Sequence, residues 1–176
     1  MSINWHEFLA ADIEAGTLTW KIRLRDQFTG NRSWKIWNVR FAGKLAGTVN
    51  ADGYQRVSLF NKRYLAHRIL FEMASGPIPE GHDIDHRDQN KRNNGLSNLR
   101  LATRAENLRN TGLPTNNTSG VKGVRWHNRD GKWHAQIQHH GRHIHLGYFT
   151  NFDDALAARR AADVKYHGEF TPSIRA

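Results

Sequence analysis

The spacing of apolar positions changes several times along this chain, and each change predicts an element. Residues 5–11 read as a short helix, and residues 16–22, GTLTWKI, alternate with the period of two that buries one face of a strand. Residues 43–47, 52–59 and 61–62 are further short strand-like runs joined by tight turns, which predicts a small sheet. From residue 64 the period lengthens. Leu65, Ile69, Leu70 and Met73 share one helical face, and Gly76, Pro77 and Pro79 stop the helix predicted over 64–74. Residues 23–41 read as a basic loop in which Arg23, Arg25, Arg32, Lys35 and Arg40 interleave with Phe28, Trp34, Trp37 and Phe41. That composition suits gripping a sugar-phosphate backbone or unstacked bases, and equally an aromatic core with an arginine rim.

The stretch 83–110, DIDHRDQNKRNNGLSNLRLATRAENLRN, organises the rest. Ile84 lies in a short strand ending at Asp85-His86, and a polar loop over 87–97 follows. Residues 98–101 return as a second strand, with Leu99 and Leu101 on one face and Asn98 and Arg100 on the other. Thr103 and Glu106 fit a capping box, which predicts a helix from Thr103 with Asn107 in its first turn. Strand, strand and helix direct Asp85, His86, Asn98 and Asn107 toward one point. These types suit phosphodiester cleavage. A hard divalent cation takes oxygen ligands and keeps several waters, so Asp85 and Asn107 suffice as protein ligands. A histidine beside it, His86, can take a proton from the attacking water. His67 and His82 read as structural, although His67 beside Arg68 can reach a phosphate and joins the candidate catalytic set.

The pattern resembles the HNH (His-Asn-His) nuclease family, with its ββα-metal fold, and in particular the homing endonucleases of phage; the segment 64–72, YLAHRILFE, resembles that subgroup's lead-in. The resemblance implies that His86 is the general base, that Asp85 is a metal ligand, and that Asn98 braces the loop and orients the histidine. Asn107 stands where the family name has its second His, which implies an oxygen-held cation, Mg2+ with Mn2+ as the alternative, rather than a zinc-like set.

Composition agrees with a nucleic-acid partner: 26 Lys and Arg against 16 Asp and Glu give a formal charge of +10 and a pI near 10.4. There is no apolar run of about 18 residues, the length that spans a membrane, and the N-terminus lacks a signal-peptide pattern. A soluble cytoplasmic protein is expected, in the host cell if phage-encoded. Zero cysteines exclude disulfides and a cysteine-based zinc site.

Residues 111–119, TGLPTNNTS, have the composition of a flexible linker. After it, residues 121–126, 133–139 and 143–149 read as three strands with turns at 128–132 and 140–141, and a helix follows over 153–167, acidic at its start and closed by Gly168. Ala155, Ala157, Ala158, Ala161 and Ala162 allow close approach to the sheet. GVKGVRW, GKWHAQI, HLGYF and the Asp-Asp-Ala helix resemble the apetala-two (ethylene-response-factor) DNA-binding domain. That resemblance implies a sheet in the major groove, with contacts from Lys122, Arg125, Lys132, Trp133, Gln138 and Arg142, joined by Gln136 and His145. Pattern alone leaves the two faces of the sheet unassigned. The His139, His140, His143 and His145 cluster reads as facing solvent or phosphate rather than as a metal site.

The expected fold is α+β: a ββα-metal HNH nuclease domain with a small N-terminal sheet, plus a three-stranded antiparallel sheet with one packed helix. The expected boundaries are 1–63 lead-in, 64–112 nuclease core, 113–119 linker and 120–176 DNA-binding domain. The expected function is metal-dependent cleavage or nicking of double-stranded DNA by a phage homing-type endonuclease, without a membrane or small-molecule cofactor and with oligomeric state open, a monomer included. A non-catalytic DNA-binding regulator and an RNA-binding or RNA-cleaving protein are the alternatives.

Overall fold

A computed structural model describes residues 3–110, 112–113 and 115–168. The chain is α+β and divides into two compact units, Met1–Thr103 and Arg104–Ala176.

The first unit begins with helix α1 (Trp5–Phe8), which gives way to strand β1 (Leu9–Asp12). The helix expected over 5–11 is therefore half as long. Leu9 pairs with Trp20 of β2 (Thr17–Trp20), and that antiparallel pairing buries Leu9 completely. Residues 23–41 are a second correction. They carry a 3-10 turn (Arg25–Gln27) and helix α2 (Asn31–Phe41), because Trp34, Trp37 and Phe41 recur at helical spacing. Trp37 packs its ring 5.3 Å from those of Trp20 and Phe41, and the Trp34 indole donates to the Arg23 carbonyl at 2.8 Å. Arg23 does not reach outward. It is buried among the rings of Phe8, Phe28, Trp37 and Phe60, the nearest 4.7 Å from its guanidinium carbon.

Residues 43–47 turn and then pair with β2 through one antiparallel bridge, Thr19↔Leu45, shorter than the strand expected there, and Ala46 donates its N–H to the Leu18 carbonyl at 2.7 Å. Strands β3 (Thr48–Val49), β4 (Gln55–Leu59) and β5 (Lys62–Leu65) make an antiparallel sheet in that order. Phe60 and Asn61 both take positive φ, as the tight turn from β4 to β5 requires. Helix α3 (Ala66–Ser75) starts two residues later than expected, since Tyr64 and Leu65 pair with Val57 and Arg56 in β5. One core joins Trp5, Phe8, Leu9, Leu18, Trp20, Val57, Leu59, Ile69 and Leu70.

Strands β6 (His82–His86) and β7 (Leu99–Thr103) form the hairpin, in register Asp85↔Arg100 and His86↔Leu99. Asn98 belongs to a 3-10 turn (Leu96–Asn98) that precedes the returning strand. Leu99 and Leu101 keep one face of that strand and Arg100 the other, but burial does not follow side-chain type: Leu101 is exposed, while Arg100 lies opposite Asp85 and the two bury together as an ion pair.

The second unit opens with helix α4 (Arg104–Arg109), immediately after Thr103. Strands β8 (Val124–His127), β9 (Lys132–His139) and β10 (Arg142–Phe149) form an antiparallel sheet in the order β10-β9-β8, with a bulge between His145 and Gly147. Helix α5 (Phe152–His167) packs on it around Val124, Ala135 and Ala155. Gly168 closes α5 at φ +53, a conformation that glycine adopts freely. Of the expected linker, residues 111 and 114 lie outside the described residues. Its far end is tied to the sheet, since Asn117 donates to the Val121 carbonyl at 3.0 Å and Ser119 to that of Val124 at 2.6 Å. Among the described residues no helix is long and apolar enough to cross a membrane.

Candidate active site

His86 ends β6 with its side chain 5% exposed. Its ring meets that of His67, from the first turns of α3, edge-on at 4.8 Å, and Tyr54 closes the same cluster at 5.4 Å from His67. His86 Nε2 lies 3.0 Å from Oδ1 of Asn94. Asn94 is held from the other side, its amide donating to Gln55 Oε1 at 3.3 Å. Burial, then the neighbouring His86 and Arg68, pushes His67 down to about 3, so it stays neutral. Tyr54 is raised by burial and by Asp52 and Asp85, and Lys91 Nζ sits 4.6 Å over its ring.

Asp85 is buried beside His86, and Arg100 places Nε and Nη2 on its Oδ2 at 2.9 and 2.8 Å. Asn98 closes the loop that follows. Its Oδ1 accepts from the Asp88 backbone at 3.0 Å, and its amide donates to Asp88 Oδ1 and the Asn93 carbonyl at 2.9 and 2.8 Å. Asn93 holds the other Asp88 oxygen at 2.7 Å. Burial acts to raise the Asp88 carboxyl, but these hydrogen bonds and the nearby His86 outweigh it and hold it below its usual range.

The loop is also pinned from the β1–β2 turn. Leu96 donates its N–H to the Ile13 carbonyl at 3.0 Å, and Gly16, at φ +66, passes so close that a Cβ there would collide with the Asn94 carbonyl carbon.

Of the expected residues, Asp85, His86, Asn98 and His67 thus come from neighbouring parts of one unit. Asn107, half-buried, belongs to α4 in the other. Sequence reasoning missed Asn94, Gln55, Tyr54 and Arg100. Arg100 alone left a signal, its register opposite Asp85, which a two-residue shift of the loop would erase.

In the second unit the structure assigns the faces. Trp133 packs 4.8 Å from Phe152 on the α5 side, and its cross-strand partner Trp126 shares that side. The opposite face carries Arg125, His134, Gln136, Gln138, His143, His145 and Tyr148, by the pairings Arg125↔His134, Gln136↔His145 and Gln138↔His143. His134 Nε2 and His145 Nδ1 are 2.9 Å apart. Lys122 turns inward and donates to the Leu108 and Arg109 carbonyls at 3.2 and 3.3 Å; burial, then Arg159, lowers it. Lys132 and Arg142 are exposed at strand starts.

Comparisons with known proteins bear on the hairpin. Residues 64–109 match the HNH endonuclease family. Protein 3.8 of Escherichia phage T7 is 42% identical over 83 residues, 47% of this chain and 69% of that protein. DNA endonuclease I-HmuI of Bacillus phage SP01 is 31% identical over 80 residues, 43% of this chain and 46% of its own length. The solved structure of the HNH homing endonuclease I-HmuI, which binds and cleaves DNA, aligns over 86% of this chain and 80% of that one at 21% identity and a TM-score of 0.40. The chain spans less than half the length of I-HmuI as a curated relative. The family match over the hairpin and the coverage of Protein 3.8 establish that this chain belongs to the HNH endonuclease family.

Proposed function

We propose that the chain is a metal-dependent DNA endonuclease of the phage homing type, acting in the host cytoplasm, with His86 as general base and the second unit as its DNA-binding module. The observation that carries this reading is the pairing of His86, bonded to Asn94, with a buried Asp85 fixed by Arg100, inside the stretch that matches the family.

HNH endonucleases use a divalent metal ion, and the donors here fit a hard one. Asp85 offers carboxylate oxygen and Asn107 carboxamide oxygen, the donor types a hard cation takes, which favours Mg2+ and admits Mn2+. Held by Asp85, the cation would neutralise charge developing on the phosphate and the leaving oxygen. Arg100 holds the Asp85 carboxylate in one orientation, and Asn98, through Asp88, holds the loop above the histidine. His86 accepts the proton of the attacking water, and neutral His67 supports its ring without competing for that proton.

The sheet order and single helix of the second unit support the resemblance to the apetala-two domain. Arg125, Gln136, Gln138 and His145 share the open face and form its reader, while Lys132 and Arg142 reach phosphates from the strand starts. Trp133 serves packing. Supercoiled plasmid incubated with and without Mg2+ tests the reading: nicking or linearisation that needs the metal, and that is lost in Asp85→Ala and in His86→Ala, is expected. Cleavage in excess EDTA, or competition by duplex RNA as strong as by DNA, would overturn it.

A further inference from the structure

We propose that Gln55 and Asn94 are positioning residues that fix the tautomer of His86, placing the proton on Nε2 and leaving Nδ1 as the nitrogen that takes the proton from water. This rests on the reading of His86 as general base.

A backbone carbonyl, whose role is not open to reassignment, anchors the chain of hydrogen bonds. Ala46 O can only accept, and Gln55 Nε2 donates to it at 2.8 Å. The other end of the Gln55 carboxamide is therefore its oxygen. It faces Asn94 at 3.3 Å, where it accepts from Nδ2. The Asn94 oxygen must then be the atom facing His86, at 3.0 Å. A carboxamide oxygen only accepts, so His86 Nε2 carries the hydrogen and the neutral ring has its lone pair at Nδ1. The orientations of two amides and one imidazole, which are separate assignments in an isolated pair, are tied here to one carbonyl.

Burial gives the relay its strength. Asn94 is 2% exposed and Ala46 0%, so water does not replace a lost partner. The reverse tautomer would set two lone pairs against each other at His86 Nε2 and Asn94 Oδ1, or demand that both amides turn and abandon Ala46 O. A buried acceptor left without its donor disfavours that state by roughly tenfold or more. Gly16 and Gly95 bring the β1–β2 turn against the backbone at Asn94 and keep its side chain in line. The role differs from that of Asn98, which acts on the loop through Asp88.

In the reaction, a water O–H bond breaks and its proton goes to Nδ1. The water oxygen forms the new bond to phosphorus as the bond to the leaving oxygen breaks. Nε2–H is retained, and the charge gained by the ring is shared along the line to Asn94 Oδ1.

Long-range proton–nitrogen correlation spectra of the full chain labelled with 15N-histidine, without metal or DNA and at a pH where the ring is neutral, read the tautomer directly. Wild type should show His86 protonated at Nε2. Asn94→Ala and Gln55→Ala should mix the two tautomers and lower single-turnover cleavage tenfold or more at unchanged DNA affinity. Asn94→Asp, which keeps an acceptor toward His86, should retain the Nε2–H pattern. A wild-type ring protonated at Nδ1, or an unmixed Nε2–H pattern in a folded Asn94→Ala, would overturn the proposal. The wild-type spectrum needs no variant to fold and no cleavage to occur, so the tautomer can fail where nuclease activity holds, and the reverse.

Discussion

Arg100 brings Nε and Nη2 onto a single oxygen of Asp85, Oδ2, in a pair whose side chains are only 5% and 7% exposed. A pair buried this deeply is an orienting device more than a source of net stability, because its desolvation offsets much of its attraction. Removing one member is another matter. Arg100→Ala leaves the carboxylate buried without its cation and should destabilise the fold by about 3–5 kcal/mol. Asp85→Asn should abolish cleavage with a comparable loss, since it strands the guanidinium. Denaturant midpoints for both variants, with plasmid assays in Mg2+, check this; an Arg100→Ala protein of wild-type stability and activity would remove the pair from the site.

The second prediction concerns two glycines of similar backbone geometry. Gly16 has φ +66 and a Cβ there would collide with backbone atoms of Asn94 and Gly95; Gly43 has φ +76 with nothing within 4 Å. Alanine at either position costs about 1–2 kcal/mol for the left-handed conformation. Only Gly16→Ala must also displace the loop that carries Asn94. It should therefore lose cleavage by at least about tenfold, the scale of a small misplacement of a catalytic group. Gly43→Ala should lose stability alone. Equal activities in the two variants would separate the β1–β2 turn from the site.

Much of the site was legible because its members are close in sequence. Asp85 and His86 are adjacent, and Asn98 returns just beyond one loop, so a local pattern suffices to place them. The Asn94 to Gln55 contact joins a loop to a strand nearly forty residues earlier, a separation that turn and period signals do not bridge. The α2 helix was in principle readable from Trp34, Trp37 and Phe41, but its interleaved cations and rings read as a loop, with phosphate gripping and an aromatic core under an arginine rim equally open. Arg23 departs from both readings, its neighbours being four aromatic rings, while Arg25, Arg32, Lys35 and Arg40 stay exposed, a division that side-chain type does not reveal. The faces of the second sheet needed the register, since a one-residue slip exchanges them.

His67 supplies a pH prediction. Its folded value of about 3 lies below the ordinary 6.5, so between those values the unfolded chain binds a proton that the folded chain refuses. Stability should be level above about pH 6.5 and should decline as pH falls toward 3, by about 4 kcal/mol in all. Asp88, held below its ordinary 3.8, adds its own loss only at the acid end of that range. In His67→Phe, which keeps an aromatic edge and cannot titrate, the decline between pH 6.5 and 4 should flatten. Guanidinium midpoints across that range decide it, and parallel curves for the two proteins would mean that His67 is not held neutral by the fold.

The last prediction separates two kinds of cation in the second unit. Lys132 and Arg125 are exposed on the sheet, whereas Lys122 commits its ammonium to the Leu108 and Arg109 carbonyls. If the sheet binds DNA through phosphates, each exposed cation lost should flatten the salt dependence of affinity by about one unit of slope. Lys132→Ala and Arg125→Ala should do so, with little change in melting temperature. Gln138→Ala should leave the slope alone and erode discrimination between cognate and random duplex, because base-edge contacts carry sequence information and phosphate contacts do not. Lys122→Met should give the reverse of the exposed cations: an unchanged slope and a lower melting temperature, as the end of α4 loses its donor. Titrations of labelled duplex at several salt concentrations, beside thermal melts of the same proteins, test the division. A full unit of slope lost in Lys122→Met with an unchanged melt would show that its ammonium leaves those carbonyls for phosphate when DNA binds.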